Sequence, residues 1–224
     1  MGLLGEAAAR AALEPMIPDW EQQFQRVGQW TEEPVAQSAN QIFSDSTFEW
    51  LMSQLAGNSD RAVATSSAGR LFDAAGVLCG LGPAASFEGH HAIALEGMCR
   101  GEADPWPFEI DRSAQPWRIR TGPVLEALLR ERAHGADPTL LATRFHATLA
   151  ALIAEVVCLI REQWGMMPVA LSGGCFQNAR LLTGAVEGLR RHGIEALHHR
   201  RVPPNDGGIA LGQAVIAAQR LARR

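Results

Sequence analysis

Pro168-Val-Ala-Leu-Ser-Gly-Gly-Cys-Phe-Gln-Asn178 opens with a short apolar run and ends it at Ser172-Gly173-Gly174. A run of this length, closed by glycines, predicts a short buried strand that turns sharply. Leu181, Leu182, Ala185, Val186 and Leu189 follow at helical spacing, so a helix is expected next. The order then repeats. Ile194 to His199 can form a second strand, Pro203-Pro-Asn-Asp-Gly-Gly208 forms a second loop, and an alanine-rich helix runs on from Ile209. Strand, glycine loop, helix, strand, loop and helix make a β-α-β unit with an added helix, and its crossover should be right-handed. Ligands of open α/β sheets collect at the carboxyl ends of the strands, where both loops fall. Backbone amides at the following helix starts are expected to receive negative charge there, and glycines let a ligand approach the main chain.

Two readings stand side by side for each loop. Gly173 and Gly174 leave room for a flat or phosphorylated ligand, and Asn178 can both donate and accept, as a base or ribose contact requires. The other reading makes Asn178 a helix cap behind a paired-glycine turn. Asp206, between two prolines and two glycines, presents a carboxylate as a hard oxygen ligand for a metal, or else caps the last helix.

Working outward, Leu141, Phe145, Leu149, Leu152, Val156 and Leu159 advance in steps of three and four, predicting one long helix from near Pro138 with a single apolar stripe. Residues 61 to 135 read as helices separated by glycine and proline loops. Leu71, Phe72, Ala75 and Leu78 mark one of these helices, with Ser66 or Ser67 as its cap. Pro105 to Trp117 is too rich in proline for a helix and is expected as a surface loop or edge-strand insertion. Residues 1 to 60 form a separate helical segment in this reading. Trp20, Trp30 and Trp50 are packing residues there rather than a ligand platform.

At 224 residues, with 47% hydrophobic and 20% charged side chains, the chain can bury a substantial core. A formal net charge of −4 supplies no basic field for sequence-independent binding to nucleic acid. The 4 cysteines include no Cys-x-x-Cys pair, so neither a zinc ribbon nor a disulfide ladder is expected. Met1 to Leu13 lacks the pattern of a signal peptide, and charged residues interrupt the apolar runs that would cross a bilayer. No membrane association and a cytoplasmic location are therefore expected.

Four stretches then occur in a telling order: Thr65-Ser-Ser-Ala-Gly-Arg-Leu-Phe-Asp73-Ala74, Ser86-Phe-Glu-Gly89, Leu171-Ser-Gly-Gly-Cys-Phe-Gln-Asn178, and Val202-Pro-Pro-Asn-Asp-Gly-Gly-Ile-Ala-Leu-Gly-Gln213. Over about residues 50 to 224 this resembles the second half of the carboxy-terminal domain of HypF carbamoyltransferases, relatives of the tRNA threonylcarbamoyltransferases. The resemblance implies an α/β architecture, one lobe of the actin, sugar-kinase and Hsp70 (ASKHA) fold with helical insertions. Residues 61–224 would form the nucleotide-binding lobe. It implies ATP and carbamoyl adenylate as ligands, with the carbamoyl group passed to the terminal cysteine of a HypE-like partner for the cyanide ligands of nickel–iron hydrogenases. Asp73 would meet the ribose hydroxyls, Gly89 would line the cleft, Gly173, Gly174 and Asn178 would hold the adenosine, and Asp206 would bind a divalent metal.

The chain departs from the family in one chemical respect. The family's metal-binding histidines are spaced by three residues, and His90, His91, His134, His146, His192, His198 and His199 contain no such pair. The metal site is therefore expected to be incomplete. A missing amino-terminal portion of the enzyme, or self-association, is expected to complete the domain. The alternative is a nucleotide-binding or HypE-docking module without catalysis, or a degenerate interaction protein. His90 and His91 are read as one inward and one solvated ring with a minor claim on a phosphate, His198 and His199 as structural, and Cys175 as no nucleophile.

Overall fold

A computed structural model of the chain describes residues 65–82 and 84–222. These fall into two compact units, one running to Ala94 and taking in Leu125–Leu141, the other made of Leu95–Val124 and Ala142–Arg224. The expected boundary at residue 60 and the tryptophans at 20, 30 and 50 lie outside the described residues.

In chain order the described elements are helices α1 (Ala68–Leu78) and α2 (His90–Met98), strands β1 (Glu109–Asp111) and β2 (Arg118–Arg120), and helices α3 (Gly122–Ala133) and α4 (Pro138–Trp164). Then come strand β3 (Val169–Leu171), helix α5 (Ala179–Arg191), strand β4 (Ala196–His198) and helix α6 (Ile209–Ala222). Single 3-10 turns, Gly174–Gln177 and Asp206–Gly208, stand before α5 and α6. Helix α1 starts where the pattern places it, and it buries Phe72, Ala75 and Gly76. Ser67 occupies its N-cap position without a side-chain cap bond, so the hydroxyl cap expected from Ser66 or Ser67 is not made by that residue. The proline-rich stretch contains an antiparallel hairpin, Ile110 opposite Ile119. Just before the hairpin, the buried Trp106 donates its backbone N–H to Thr148 Oγ1 on α4 at 2.8 Å.

The carboxy-terminal half is the β-α-β unit. Strands β3 and β4 pair in parallel, Val169 with Ala196 and Leu171 with His198. One apolar cluster serves both strands and two helices: Ala154 from α4, Val169 and Leu171 from β3, Ala185 and Leu189 from α5, and Ile194 ahead of β4. The α4 stripe is buried at Leu141, Phe145, Leu149 and Leu152, but Val156 and Leu159 are only half-buried. Past Leu152 the buried side turns to Ala154, because α5 packs on the Ala150–Ala154 row. A Cβ on Gly184 would meet Ala150 Cβ at 3.0 Å, and one on Gly188 would meet Ala154 Cβ at 3.3 Å.

Helix α4 corrects one expectation. By length and composition it is apolar enough to cross a membrane, since its four charged residues, Arg144, Glu155, Arg161 and Glu162, leave long apolar stretches between the first three. The fold buries 44% of that apolar window against protein. Thr143, His146 and Thr148 on the same helix are buried and hydrogen-bonded within the protein.

Candidate functional site

Parallel pairing sends both loops out of the same edge of the β3–β4 sheet. The loops touch: Gly173 N donates to Pro204 O at 3.0 Å, and a Cβ on Gly174 would lie 3.9 Å from that of Asn205. Gly173 has φ +107°, a conformation that side chains rarely adopt, which is how the chain turns from β3 into the 3-10 turn. In the second loop a Cβ on Gly208 would strike Pro203 O at 2.7 Å, so the tight Pro203–Gly208 turn admits only glycine there without a shift. Asp206 is exposed at the first position of its 3-10 turn. It does not cap that turn. Asn205 does, its side-chain oxygen accepting from Gly207 N at 3.1 Å.

Asn178 is 7% exposed, and its amide works inside the protein. Oδ1 accepts from Leu181 N at 2.8 Å, which caps α5, and this orients Nδ2 toward His146 Nε2 at 3.0 Å. The orientation sets the histidine tautomer: Nε2 accepts, and Nδ1 carries the proton and donates to Ala142 O at 2.8 Å. Burial holds His146 below its ordinary value of 6.5, keeping the ring neutral as the acceptor role requires. Cys99 Sγ lies 3.2 Å from the same Nδ1, and burial raises its thiol.

The start of α5 departs from expectation. Its first amides do not wait for an external anion, because Glu96 Oε1 on α2 accepts from Ala179 N at 2.7 Å and Arg180 N at 3.3 Å. The carboxylate supplies the negative charge that a helix N-terminus attracts. Arg180 in turn donates to Gly101 O. No pattern in the sequence marks Glu96, which lies far upstream on another helix.

Asp73 and Gly89 belong to the other unit. Asp73 Oδ2 pairs with Arg70 at 3.0 Å, and its Oδ1 lies 3.5 Å from Nδ1 of the buried His91. Gly89, at φ +82°, precedes α2 with open space around it. The two histidine rings stack on each other at 5.5 Å instead of facing different ways: the buried His91 Nε2 donates to Gly82 O at 2.9 Å, while the half-buried His90 accepts from Ser86 N through Nδ1 at 3.1 Å and also stacks on Phe87. Burial raises the Cys175 thiol, which keeps it from being poised as a thiolate. One pair escaped the sequence reading. Ser172 Oγ and His199 Nε2 lie 2.8 Å apart at the loop edge.

Among the described residues, no three of His, Cys, Asp and Glu gather to hold a metal ion. Asp206 could supply one ligand, and a single carboxylate does not fit a resident divalent cation without donors from elsewhere.

Comparison with known proteins agrees with this architecture. Residues 4–213 match the family described as carbamoyltransferase, Kae1-like domain, second subdomain. The carbamoyltransferase HypF of Synechocystis is 37% identical over 161 residues, 71% of this chain and 20% of that protein. HypF of Rhodobacter capsulatus is 40% identical over 172 residues, 76% of this chain and 22% of its own. A crystal structure of full-length HypF in the phosphate- and nucleotide-bound form superposes with a TM-score of 0.72 at 31% identity, covering 83% of this chain and 24% of that one. The chain thus spans about a fifth of the curated relatives it matches. Matched nearly from end to end, it belongs to the family of the second subdomain of the Kae1-like carbamoyltransferase domain found in HypF proteins.

Proposed function

We propose that this chain is the nucleotide-cradling half of a HypF-type carbamoyltransferase domain, one lobe of an ASKHA fold, which acts in hydrogenase maturation together with the first subdomain of that domain. The observation that supports it is the joined pair of glycine loops at the carboxyl edge of β3 and β4, tied by Gly173 N to Pro204 O. In this reading the loops offer their backbone to ATP and to carbamoyl adenylate, with Gly173 and Gly174 against the adenosine side. Asn178 positions the loop from behind, since its side chain is committed to α5 and His146. In the transfer step the terminal thiolate sulfur of a HypE-like partner bonds to the carbamoyl carbon, and the bond from that carbon to the adenylate phosphate oxygen breaks to release AMP. Asp206, at the rim, is the residue of this chain suited to share a cation with donors from the first subdomain.

Helix α6 supports the need for another piece. Every residue from Ile209 to Ala222 is exposed, among them Ile209, Leu211, Val215, Ile216 and Leu221. An apolar helix this bare suits a covering surface, and the first subdomain of the same domain is the occupant proposed. The test is carbamoyl transfer from carbamoyl phosphate and ATP to HypE, with this chain alone, with the rest of a HypF protein alone, and with both. Transfer only in the mixture supports the reading. Nucleotide binding without transfer in the mixture would favour a binding module instead.

A further inference from the structure

The register that sets Leu171 opposite His198 brings the next residue of each strand side by side, and there Ser172 Oγ meets His199 Nε2 at 2.8 Å. Both residues are exposed, at the edge from which the two glycine loops leave. Arg200 and Arg201, also exposed, follow directly, so the chain leaving β4 is basic. Close by in sequence, the start of α5 is closed to anions, because the Glu96 carboxylate and the Asn178 side chain take the amides of Ala179, Arg180 and Leu181. A phosphate arriving at this edge therefore finds one helix start already neutralised and a hydroxyl–imidazole pair standing free of the core.

We propose that Ser172 and His199 form a contact for the phosphate-bearing part of the nucleotide, with the glycine loops taking the nucleoside. This rests on the nucleotide-cradling function proposed above and assigns His199 a role within that site. The chemistry suits the task. Once the ligand opens their mutual bond, the hydroxyl and an imidazole N–H can each donate to a phosphate oxygen, and a charged acceptor strengthens each bond. Their mutual hydrogen bond holds both side chains in place before the ligand arrives, which lowers the ordering cost of binding.

The test follows the histidine ring signals of the full chain by NMR during titration with ATP, inorganic phosphate and adenosine, with His199→Gln identifying the His199 signal. ATP and phosphate should shift that signal and adenosine should not. His199→Gln should weaken ATP binding about tenfold while leaving adenosine binding within about twofold, as expected for loss of one charge-assisted contact. Ser172→Ala should act in the same direction. Unchanged ATP affinity in His199→Gln, or ATP binding that leaves the His199 signal still, would overturn the assignment while sparing the nucleotide function. A rise in phosphate affinity on Glu96→Gln, with none lost in His199→Gln, would place the anion at α5 instead. If neither ATP nor adenosine binds, even with the first subdomain added, the nucleotide reading falls and this assignment with it.

Discussion

Asn178 divides its amide between two helices, capping α5 with its oxygen and holding His146 of α4 with its nitrogen. Asn178→Ala removes a cap and strands a buried imidazole nitrogen, so it should cost about 1–3 kcal/mol, read as a lower urea midpoint. The loop should loosen with it, weakening the proposed nucleotide binding. His146 also sets an acid limit. Burial lowers its pKa in the fold, so the unfolded chain takes up the proton first and stability is complete above about 6.5, then lost as pH falls below that value. His146→Gln should be less stable at neutral pH yet lose less between about pH 7.5 and about pH 5, in urea melts at the two values. Equal acid losses in the two proteins would move the effect to another group. None of this pairing is visible in the sequence, because Asn178 reads equally well as a ligand contact or a cap until His146 is placed behind it.

At the scale of elements, the glycines of α5 are the contact through which it lies close on α4. Gly184 and Gly188 recur at a four-residue interval on one face and meet Ala150 and Ala154, which recur likewise on α4. Gly184→Leu would insert a branched side chain where even a Cβ stands 3.0 Å from its neighbour, and should cost about 1–3 kcal/mol through forced separation of the helices. Gly188→Ala is the milder change, since its Cβ would stand at 3.3 Å and alanine favours the helix by about 1 kcal/mol. Thermal melts should rank the two in that order, and a more stable Gly184→Leu would refute the close-packing argument. The long helix α4 was legible in its period, and its strongly buried half was legible in its stripe. The turn of its buried side past Leu152 was not, because alanines that contact glycines carry no hydrophobic signal of their own.

For the whole molecule, the chain spans a fifth of the length of its relatives and every residue of α6 is exposed, so its solution behaviour should report whether that helix docks on another surface. Alone, it should associate with itself or bind the first subdomain when that is supplied. Replacing Leu211 and Val215 with glutamate should abolish both without lowering the melting temperature, because exposed side chains contribute little to the core. Sedimentation checks the first and the thermal melt the second. A monodisperse unaltered chain that ignores the first subdomain would remove α6 as the docking surface.

The sequence by itself determined the β-α-β unit, the two glycine loops and the family, because strand and helix periods, glycine pairs and ordered motifs are local or read in chain order. It also placed the loops at one sheet edge, since parallel strands joined by a helix must send their ends the same way. Only the tertiary structure decided what the loop residues do. It gave the amides of α5 to Glu96, turned Asn178 inward to His146, left the turn cap to Asn205 instead of Asp206, and set His199 beside Ser172. Three of those four outcomes pair side chains with residues 27 to 84 positions away, and such partners are chosen by register and helix packing, which no local spacing encodes.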